Sequence, residues 1–174
     1  MTKTIHPSNM KLPAMEKLPL PALLNAASRL PSSGRLARSK NKLSYLNIED
    51  AYIHDLFPLL QNQAIKIPDY FGKQGVGAHI SVIYPEEKKE ISDADLGQEH
   101  DFLIKDLIAA KINQKIYYAL FIEAPSLLQL RRKYGLTDLL CFKNYAIGFH
   151  ITIGTKEELP NLATKDVEKG QDAK

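Results

Sequence analysis

Two short segments of the sequence place a histidine and a hydroxyl side chain two residues apart. They are His-Ile-Ser-Val at residues 79–82 and His-Ile-Thr-Ile at residues 150–153. An imidazole titrates near neutral pH, so a pair of histidines can serve as proton acceptor and proton donor. Serine and threonine hydroxyls can hydrogen-bond the oxygens of a phosphate. Together the two segments contain the groups needed for acid–base attack on a phosphate ester.

The similarity between the two segments extends beyond these four residues. Gly-Ala-His-Ile-Ser-Val-Ile-Tyr-Pro-Glu-Glu at 77–87 aligns with Gly-Phe-His-Ile-Thr-Ile-Gly-Thr-Lys-Glu-Glu at 148–158. One His-x-Ser/Thr pattern is common by chance, because serine and threonine are abundant. Two copies with the same glycine before them and the same glutamate pair after them favour a functional pair over two structural histidines. We expect the glutamate pairs to be exposed.

Both segments are rich in β-branched residues and follow a glycine, which favours β-strands. Side chains alternate between the two faces of a strand, so His79 and Ser81 share one face and the aliphatic residues share the other. His150 and Thr152 have the same relation. The imidazole and the hydroxyl are then about 7 Å apart along each strand. We expect two related lobes that bury the aliphatic faces and line one cleft with the polar faces.

The paired motifs resemble those of the 2H (two-histidine) phosphoesterase superfamily, whose members carry two His-x-Ser/Thr-x motifs in two related halves. The superfamily includes RNA 2',3'-cyclic phosphodiesterases, bacterial 2'-5' RNA ligase-like proteins and the Swiss-army-knife RNA-repair domains. The resemblance covers about Tyr45 to Lys156. We expect an α+β fold of two pseudo-symmetric lobes, each an antiparallel sheet backed by helices, with a central cleft.

The resemblance implies a metal-independent phosphodiesterase that acts on a 2',3'-cyclic phosphate or a 2'-5' linked nucleotide or RNA end. His79 and His150 are the predicted catalytic pair, and the sequence leaves open which is acid and which is base. Ser81 and Thr152 are predicted to bind the substrate. No cofactor is expected, and no metal, because zinc usually needs three or four close ligands and the pair has no evident third. The alternative is a noncatalytic nucleotide- or RNA-binding module with the same cleft.

The composition fits one globular domain, with 174 residues and 44% hydrophobic content. A formal net charge of +3 suits a polyanionic substrate but is also ordinary for a soluble protein. Cys141 is the single cysteine and lies in an apolar run, so we expect it in the core and not as a nucleophile. No apolar run approaches the roughly 18 residues of a membrane span. These features predict a cytoplasmic protein without a membrane partner.

The sequence predicts a flexible basic leader over residues 1–42, a folded domain over 43–160 and a frayed tail over 161–174. The leader contains five prolines and one short helical pattern, Leu20 to Leu30. Its cations form either a solvated linker or a contact with RNA or a membrane surface, and in the second case the protein would act through its leader. These cations are Arg29, Arg35, Arg38, Lys40 and Lys42.

Between the motifs, the pattern predicts a strand over residues 101–112 with an irregularity at Lys105-Asp106, followed by a turn at Asn113-Gln114. A second strand over 116–123 would complete a hairpin. Proline is tolerated in the first turn of a helix, so Pro125 predicts a helix start, and Gly135 predicts its end.

The remaining predictions for the helices concern their caps, their charges and one histidine. Asn47 is predicted to cap the helix that follows it. The three cations at 131–133 are explained by the negative end of the helix dipole, and residues 137–144 are predicted to add a helical turn and a loop. His54 lies off the apolar stripe of its helix and is predicted to be exposed.

Four further residues near the motifs are assigned from their positions in the sequence. Tyr70, with its neighbour Phe71, is predicted either to stack on a base or to pack over a sheet edge. Tyr84 is predicted to lie in the core, because it shares a strand face with Ile80. Lys156 follows the second motif closely and is predicted to approach a phosphate.

Overall fold

The computed structural model describes residues 10–71 and 75–158 of the chain, so the predictions for residues 1–9 and 161–174 lie outside the described residues. Over these residues it has ten strands, three α-helices and two 3-10 turns. They are β1 Ala14–Lys17, α1 Pro21–Ser28, β2 Ser33–Arg38, β3 Ser44–Asn47, α2 Ala51–His54, a 3-10 turn at Phe57–Leu60, β4 His79–Ile83, a 3-10 turn at Pro85–Glu87, β5 Glu99–Asp101, β6 Leu103–Ile112, β7 Lys115–Glu123, α3 Pro125–Lys133, β8 Leu140–Phe142, β9 Tyr145–Ile147 and β10 His150–Glu157.

Two four-stranded antiparallel sheets carry the two motifs. The first sheet has the order β4-β3-β2-β5 and the second has the order β10-β7-β6-β1. Each sheet is built from a hairpin, a following helix, and a motif strand that pairs with the second strand of that hairpin. The hairpins are β2–β3 and β6–β7, and the motif strands are β4 and β10. The predicted α+β fold with two lobes is therefore confirmed.

The helices join the two lobes. Helix α2 follows the β2–β3 hairpin but packs against β10 of the second sheet, and α3 follows the β6–β7 hairpin but packs against β4 of the first. Each motif strand is thus supported by a helix from the other half of the chain. No helix in the described ranges is long and apolar enough to cross a membrane.

The aliphatic faces of the motif strands form the centre of a core that both lobes share. Ile80, Val82, Ile151 and Ile153 have no exposed surface. Burial of such a side chain contributes on the order of 1.5–3 kcal/mol. The alternation predicted from the sequence therefore holds in both motifs, and it leaves the histidine and hydroxyl faces free to line a cleft.

The segment predicted as a flexible leader contributes to both sheets. Strand β1 forms an edge of the second sheet, and β2 lies between β3 and β5 in the first. Helix α1 buries Leu23 and Ala27, and β2 buries Leu36. The predicted short helix from Leu20 to Leu30 corresponds to α1. The sheets therefore begin well before residue 43, where the sequence analysis started the folded domain.

The connections between β6, β7 and α3 agree with the sequence analysis. The register of the β6–β7 hairpin shifts between Ile104 and Asp106, which is the predicted irregularity. Asn113 in the turn has a φ of 56° and Gly135 after α3 has a φ of 74°, both in the left-handed region. Pro125 is the first residue of α3, as predicted.

Two local predictions are wrong. Asn47 does not cap a helix, because it is the last residue of β3 and α2 starts only at Ala51. Residues 137–144 do not extend a helix, since β8 pairs with β9 across a two-residue turn. Lys143 and Asn144 in that turn have φ values of 49° and 67°, as the favoured two-residue hairpin turns require.

Glu87 and Arg131 are buried together, although the glutamate pair was predicted to be exposed and the arginine to serve the helix dipole. Their side chains are 4% and 0% exposed, and the Arg131 Nη2 atom lies 2.7 Å from a Glu87 oxygen. Arg131 also donates hydrogen bonds to the carbonyl oxygens of Val82, Thr137 and Leu139. The pair ties α3 to the end of the first motif strand and to the start of β8.

Candidate active site

The four predicted site residues line one cleft between the sheets. Strands β4 and β10 are the edge strands at which the two sheets meet. Their polar faces bring His79, Ser81, His150 and Thr152 to a cleft of about 1380 Å³. Small-molecule pockets commonly measure about 300–1,000 Å³, so the cleft is larger than a typical small-molecule pocket.

The two imidazoles are oriented in the same way. Nδ1 of His79 lies 2.8 Å from the carbonyl oxygen of Gly77, and Nδ1 of His150 lies 2.9 Å from that of Gly148. A carbonyl oxygen only accepts hydrogen bonds, so Nδ1 must be the protonated nitrogen in each ring. Nε2 is then the nitrogen of each neutral ring that can accept a proton from a substrate.

Gly77 is required at its position for steric reasons. Its φ is 77°, and a Cβ atom there would lie 2.6 Å from Oδ1 of Asp50. That same oxygen accepts a hydrogen bond from the backbone nitrogen of Ala78. The position of Gly148 has open space instead. What the two glycines share is the carbonyl group that each offers to the histidine two residues later.

Burial lowers the pKa of both histidines. His79 is 8% exposed, and its desolvation lowers its pKa from 6.5 to about 4. The hydrogen bond to Gly77 opposes this shift, and the positive charge of His150 adds to it. Burial also lowers the pKa of His150, and its hydrogen bond to Gly148 opposes this. Both rings are therefore mainly neutral at pH 7 in the free protein, and a bound anion would favour protonation of one of them.

The lowered pKa of His79 predicts a dependence of stability on pH. Between pH 6.5 and about 4 the unfolded chain binds a proton at this residue and the folded protein does not, so stability falls as the pH falls. The difference between the two pKa values corresponds to about 3 kcal/mol of unfolding free energy. Urea denaturation at pH 7, 5.5 and 4.5 should show a smaller decrease in the His79→Asn variant than in the wild type. Equal decreases in the two proteins would contradict the buried position of this ring.

A bulge occurs at the same place in both motif strands. The register between β3 and β4 changes so that Val82 is the extra residue, and the register between β7 and β10 changes so that Ile153 is the extra residue. A bulge shifts the alternation of the side chains that follow it. The third residue after each motif hydroxyl, Tyr84 just after β4 and Thr155 in β10, therefore faces the cleft.

The bulges explain why two sequence predictions are wrong. Tyr84 was predicted to lie in the core, but it is only partly buried against the core and it also lines the cleft. Lys156 was predicted to approach a phosphate, but Thr155 is the residue of that segment that lines the cleft. Ser81 and Thr152 are largely buried, so their hydroxyls are accessible only from the cleft side.

An aromatic wall lies next to the hydroxyl of the first motif. The ring of Phe142 contacts Tyr84 with centroids 4.9 Å apart and Tyr117 with centroids 5.9 Å apart. The ammonium groups of Lys115 and Lys143 lie 5.6 Å and 5.2 Å from the centroids of Tyr117 and Phe142. The sequence analysis missed this wall, since Phe142 reaches the cleft only through the β8–β9 hairpin.

The cleft lining carries more positive than negative side chains, but most of the cations are paired. Among the described residues that line it are Arg38, Lys40, Lys115 and Asp69. Arg38 lies 2.6 Å from a carboxylate oxygen of Asp93, and Lys115 lies 3.7 Å from Asp69 and 3.8 Å from Glu157. In the described ranges no group of three histidine, cysteine, aspartate or glutamate side chains is arranged to hold a metal ion. Cys141 is buried and lies outside the cleft lining, as predicted for a core cysteine.

Two halves that each supply a histidine and a hydroxyl to a shared cleft define the class of two-histidine phosphoesterases. A family model described as 2H-SAK, the Swiss Army Knife 2H phosphoesterase domain, matches residues 44–160, about two thirds of the chain. The chain therefore belongs to the Swiss Army Knife family of 2H phosphoesterase domains, which assigns it a phosphoesterase-type function and confirms the resemblance drawn from the motifs. Searches of curated proteins and of solved structures found no match.

Proposed function

We propose that the protein is a metal-independent phosphodiesterase that opens a 2',3'-cyclic phosphate or cleaves a 2'-5' linkage in a nucleotide or at an RNA end. The observation that carries the proposal is the pair of imidazoles in one cleft, each fixed through Nδ1 and each accompanied by a hydroxyl group. This arrangement supplies two proton-transfer groups and two hydrogen-bond donors for a single phosphate.

In the proposed mechanism, one neutral histidine accepts a proton at Nε2 from the attacking water or ribose hydroxyl. The other histidine, protonated, donates its Nε2 proton to the leaving oxygen. Ser81 and Thr152 donate hydrogen bonds to the nonbridging oxygens as charge develops in the transition state. The phosphate charge itself raises the pKa of the nearby ring, which offsets the lowering by burial and provides the imidazolium. Either His79 or His150 can take either role.

The walls of the cleft support a nucleotide or RNA end as the substrate. The aromatic side chains Tyr84, Phe142 and Tyr117 offer surfaces on which a base can stack. The nearby ammonium group of Lys115 can bind a phosphate oxygen in exchange for its ion pairs with Asp69 and Glu157. A base and a phosphate in one molecule match this combination of surfaces.

The direct test is turnover of 2',3'-cyclic mononucleotides and 2'-5' dinucleotides by the purified protein in the presence of EDTA. We expect hydrolysis to a nucleoside monophosphate, measured by reversed-phase chromatography, with an unchanged rate when EDTA is added. Hydrolysis that EDTA abolishes would contradict the metal-independent mechanism. No turnover of any substrate in the panel would contradict the proposed substrate class.

A noncatalytic nucleotide- or RNA-binding module is the second candidate. The observation that favours it is the lowered pKa of both histidines, which leaves little imidazolium in the free protein at pH 7. This candidate predicts binding of a cyclic nucleotide in isothermal titration calorimetry with no product after long incubation between pH 5 and pH 8. Turnover in the assay above excludes it.

A further inference from the structure

Tyr70 lies between the two motif strands and contacts both. Its ring packs edge-on against the imidazole of His79 with centroids 4.5 Å apart. Its hydroxyl donates a hydrogen bond of 3.0 Å to the carbonyl oxygen of Thr152. Burial raises the pKa of Tyr70, so the hydroxyl stays protonated and remains a donor at all working pH values. One side chain thus contacts the histidine of one half and the backbone of the other half.

The backbone of Tyr70 adds a second connection to His79. The carbonyl oxygen of Tyr70 accepts a hydrogen bond of 3.1 Å from the nitrogen of Gly77. The carbonyl of Gly77 in turn accepts the hydrogen bond from Nδ1 of His79. Tyr70 therefore holds the nitrogen side of Gly77, while the peptide group whose carbonyl orients the imidazole is held at the Ala78 nitrogen by Asp50.

The segment before Tyr70 is attached to the second motif strand. Lys66 and Thr155 exchange two backbone hydrogen bonds, of 2.7 and 2.9 Å, across the free edge of β10. The segment from Lys66 to Tyr70 therefore follows β10 from Thr155 towards Thr152 and then reaches His79. The position of His79 relative to the second motif is defined by this connection as well as by the contact between β4 and β10.

We propose that Tyr70 is a positioning residue that fixes the first catalytic histidine against the second motif strand, an inference that rests on the proposed function for its catalytic consequence. In this role Tyr70 does not contact the reacting groups of a substrate. It acts through its contacts with His79 and Thr152. The sequence analysis offered base stacking or packing over a sheet edge for this tyrosine. Its contacts with His79 and Thr152 are those of a residue that packs over the edge of a motif strand, and the same residue also lines the cleft, so base stacking stays open.

The surroundings of His79 allow the effect of Tyr70 to be separated from other effects. Among the described residues, the titratable groups that face the ring are Tyr45 from β3, whose ring centroid is 5.6 Å away, Tyr70 itself, and His150 from β10. Two of the three are neutral aromatic groups that exclude water from the ring. Removal of the Tyr70 ring opens one side of the imidazole to solvent and leaves Tyr45 and His150 in place.

Two variants of the full-length protein divide the role of Tyr70 into its parts. Tyr70→Phe keeps the ring and removes the hydrogen bond to Thr152, so we expect kcat to fall about three- to tenfold with little change in KM and no change in the pKa of His79. Tyr70→Leu removes the ring as well, so we expect kcat to fall about 100-fold, since small displacements of catalytic groups have effects of this size. In Tyr70→Leu the pKa of His79 should rise towards 6.5, which imidazole NMR titration measures without substrate.

Phe71→Leu is the matched control, because Phe71 is the next residue and packs against the same core as Tyr70 but lies outside the cleft lining. It should keep the His79 pKa and the kcat of the wild type even if it lowers Tm. A purely structural role for Tyr70 would lower Tm in both Tyr70 variants without moving either quantity, and that result overturns the inference. If Tyr70→Leu does not fold, a wild-type kcat in Tyr70→Phe overturns it.

The NMR titration also separates this inference from the proposed reaction. A wild-type protein without turnover contradicts the phosphodiesterase proposal and still allows the His79 pKa to be compared between wild type and Tyr70→Leu. An unchanged pKa in that comparison overturns the positioning role. A raised pKa supports the role of Tyr70 at His79, whichever ligand the cleft binds.

Discussion

Replacement of His79 or His150 by alanine is expected to lower kcat for a 2',3'-cyclic nucleotide by about 1,000-fold, within the usual range of 10²–10⁴ for the loss of a general acid or base. In the proposed mechanism each ring provides one of the two proton transfers, and the described residues that line the cleft include no third histidine to replace it. The KM should change much less, because the motif hydroxyls and the walls of the cleft remain.

The double variant gives the sharper result. In the proposed mechanism His79 and His150 act in the same step, so loss of the first already removes most of the benefit of the second. The double variant should therefore be only slightly slower than either single variant. His54→Ala is the matched control, since the His54 side chain is 80% exposed and lies outside the cleft lining. A double variant whose loss is the product of the two single losses would show that the rings act independently.

The faces of the motif strands could be predicted because strand geometry alone determines them. A period of two residues puts His79 and Ser81 on one face and the intervening isoleucine on the other, whatever the rest of the fold does. The same holds for His150 and Thr152. The hairpin before α3 was equally accessible, because a long apolar pattern interrupted at Asn113 determines two strands and a turn locally.

The bulges could not be predicted from the same alternation. Val82 and Ile83 are both fully buried, and only the pairing with β3 shows that an extra residue has been inserted there. Nothing in the sequence of the strand itself distinguishes a bulge from regular alternation. The positions of Tyr84 and Lys156 relative to the cleft depend on these bulges and were therefore assigned to the wrong faces.

The early strands were missed because β2 has few apolar residues. In its sequence Ser-Gly-Arg-Leu-Ala-Arg, Leu36 alone is fully buried. Arg38 is held by hydrogen bonds to the Ile91 carbonyl and the Asp93 carboxylate, partners that are more than 50 residues away. A strand stabilised by such distant partners resembles a basic linker in the sequence. The signal that would have revealed it is the symmetry itself, since each motif strand needs a hairpin before it.

Replacement of Arg131 by alanine is expected to be the most destabilising single change considered for this protein. The guanidinium group has no exposed surface, forms two hydrogen bonds with the Glu87 carboxylate and donates to three backbone carbonyls, including that of Val82 in the first motif strand. Its removal leaves the buried Glu87 carboxylate without its ionic partner. Loss of one member of a buried ion pair typically costs about 3–5 kcal/mol.

The adjacent ion pair shows whether burial is the cause. Arg132 also forms two hydrogen bonds with a carboxylate, that of Asp138, but both side chains are more than half exposed. Arg132→Ala should therefore lose far less stability than Arg131→Ala in urea denaturation at pH 7, because water replaces an exposed partner. In Arg131→Ala/Glu87→Ala the loss should be smaller than the sum of the two single losses, since no unpaired buried charge remains. Similar losses in Arg131→Ala and Arg132→Ala would mean that the first motif strand does not depend on the buried pair, and its position would then have to come from the packing of α3 alone.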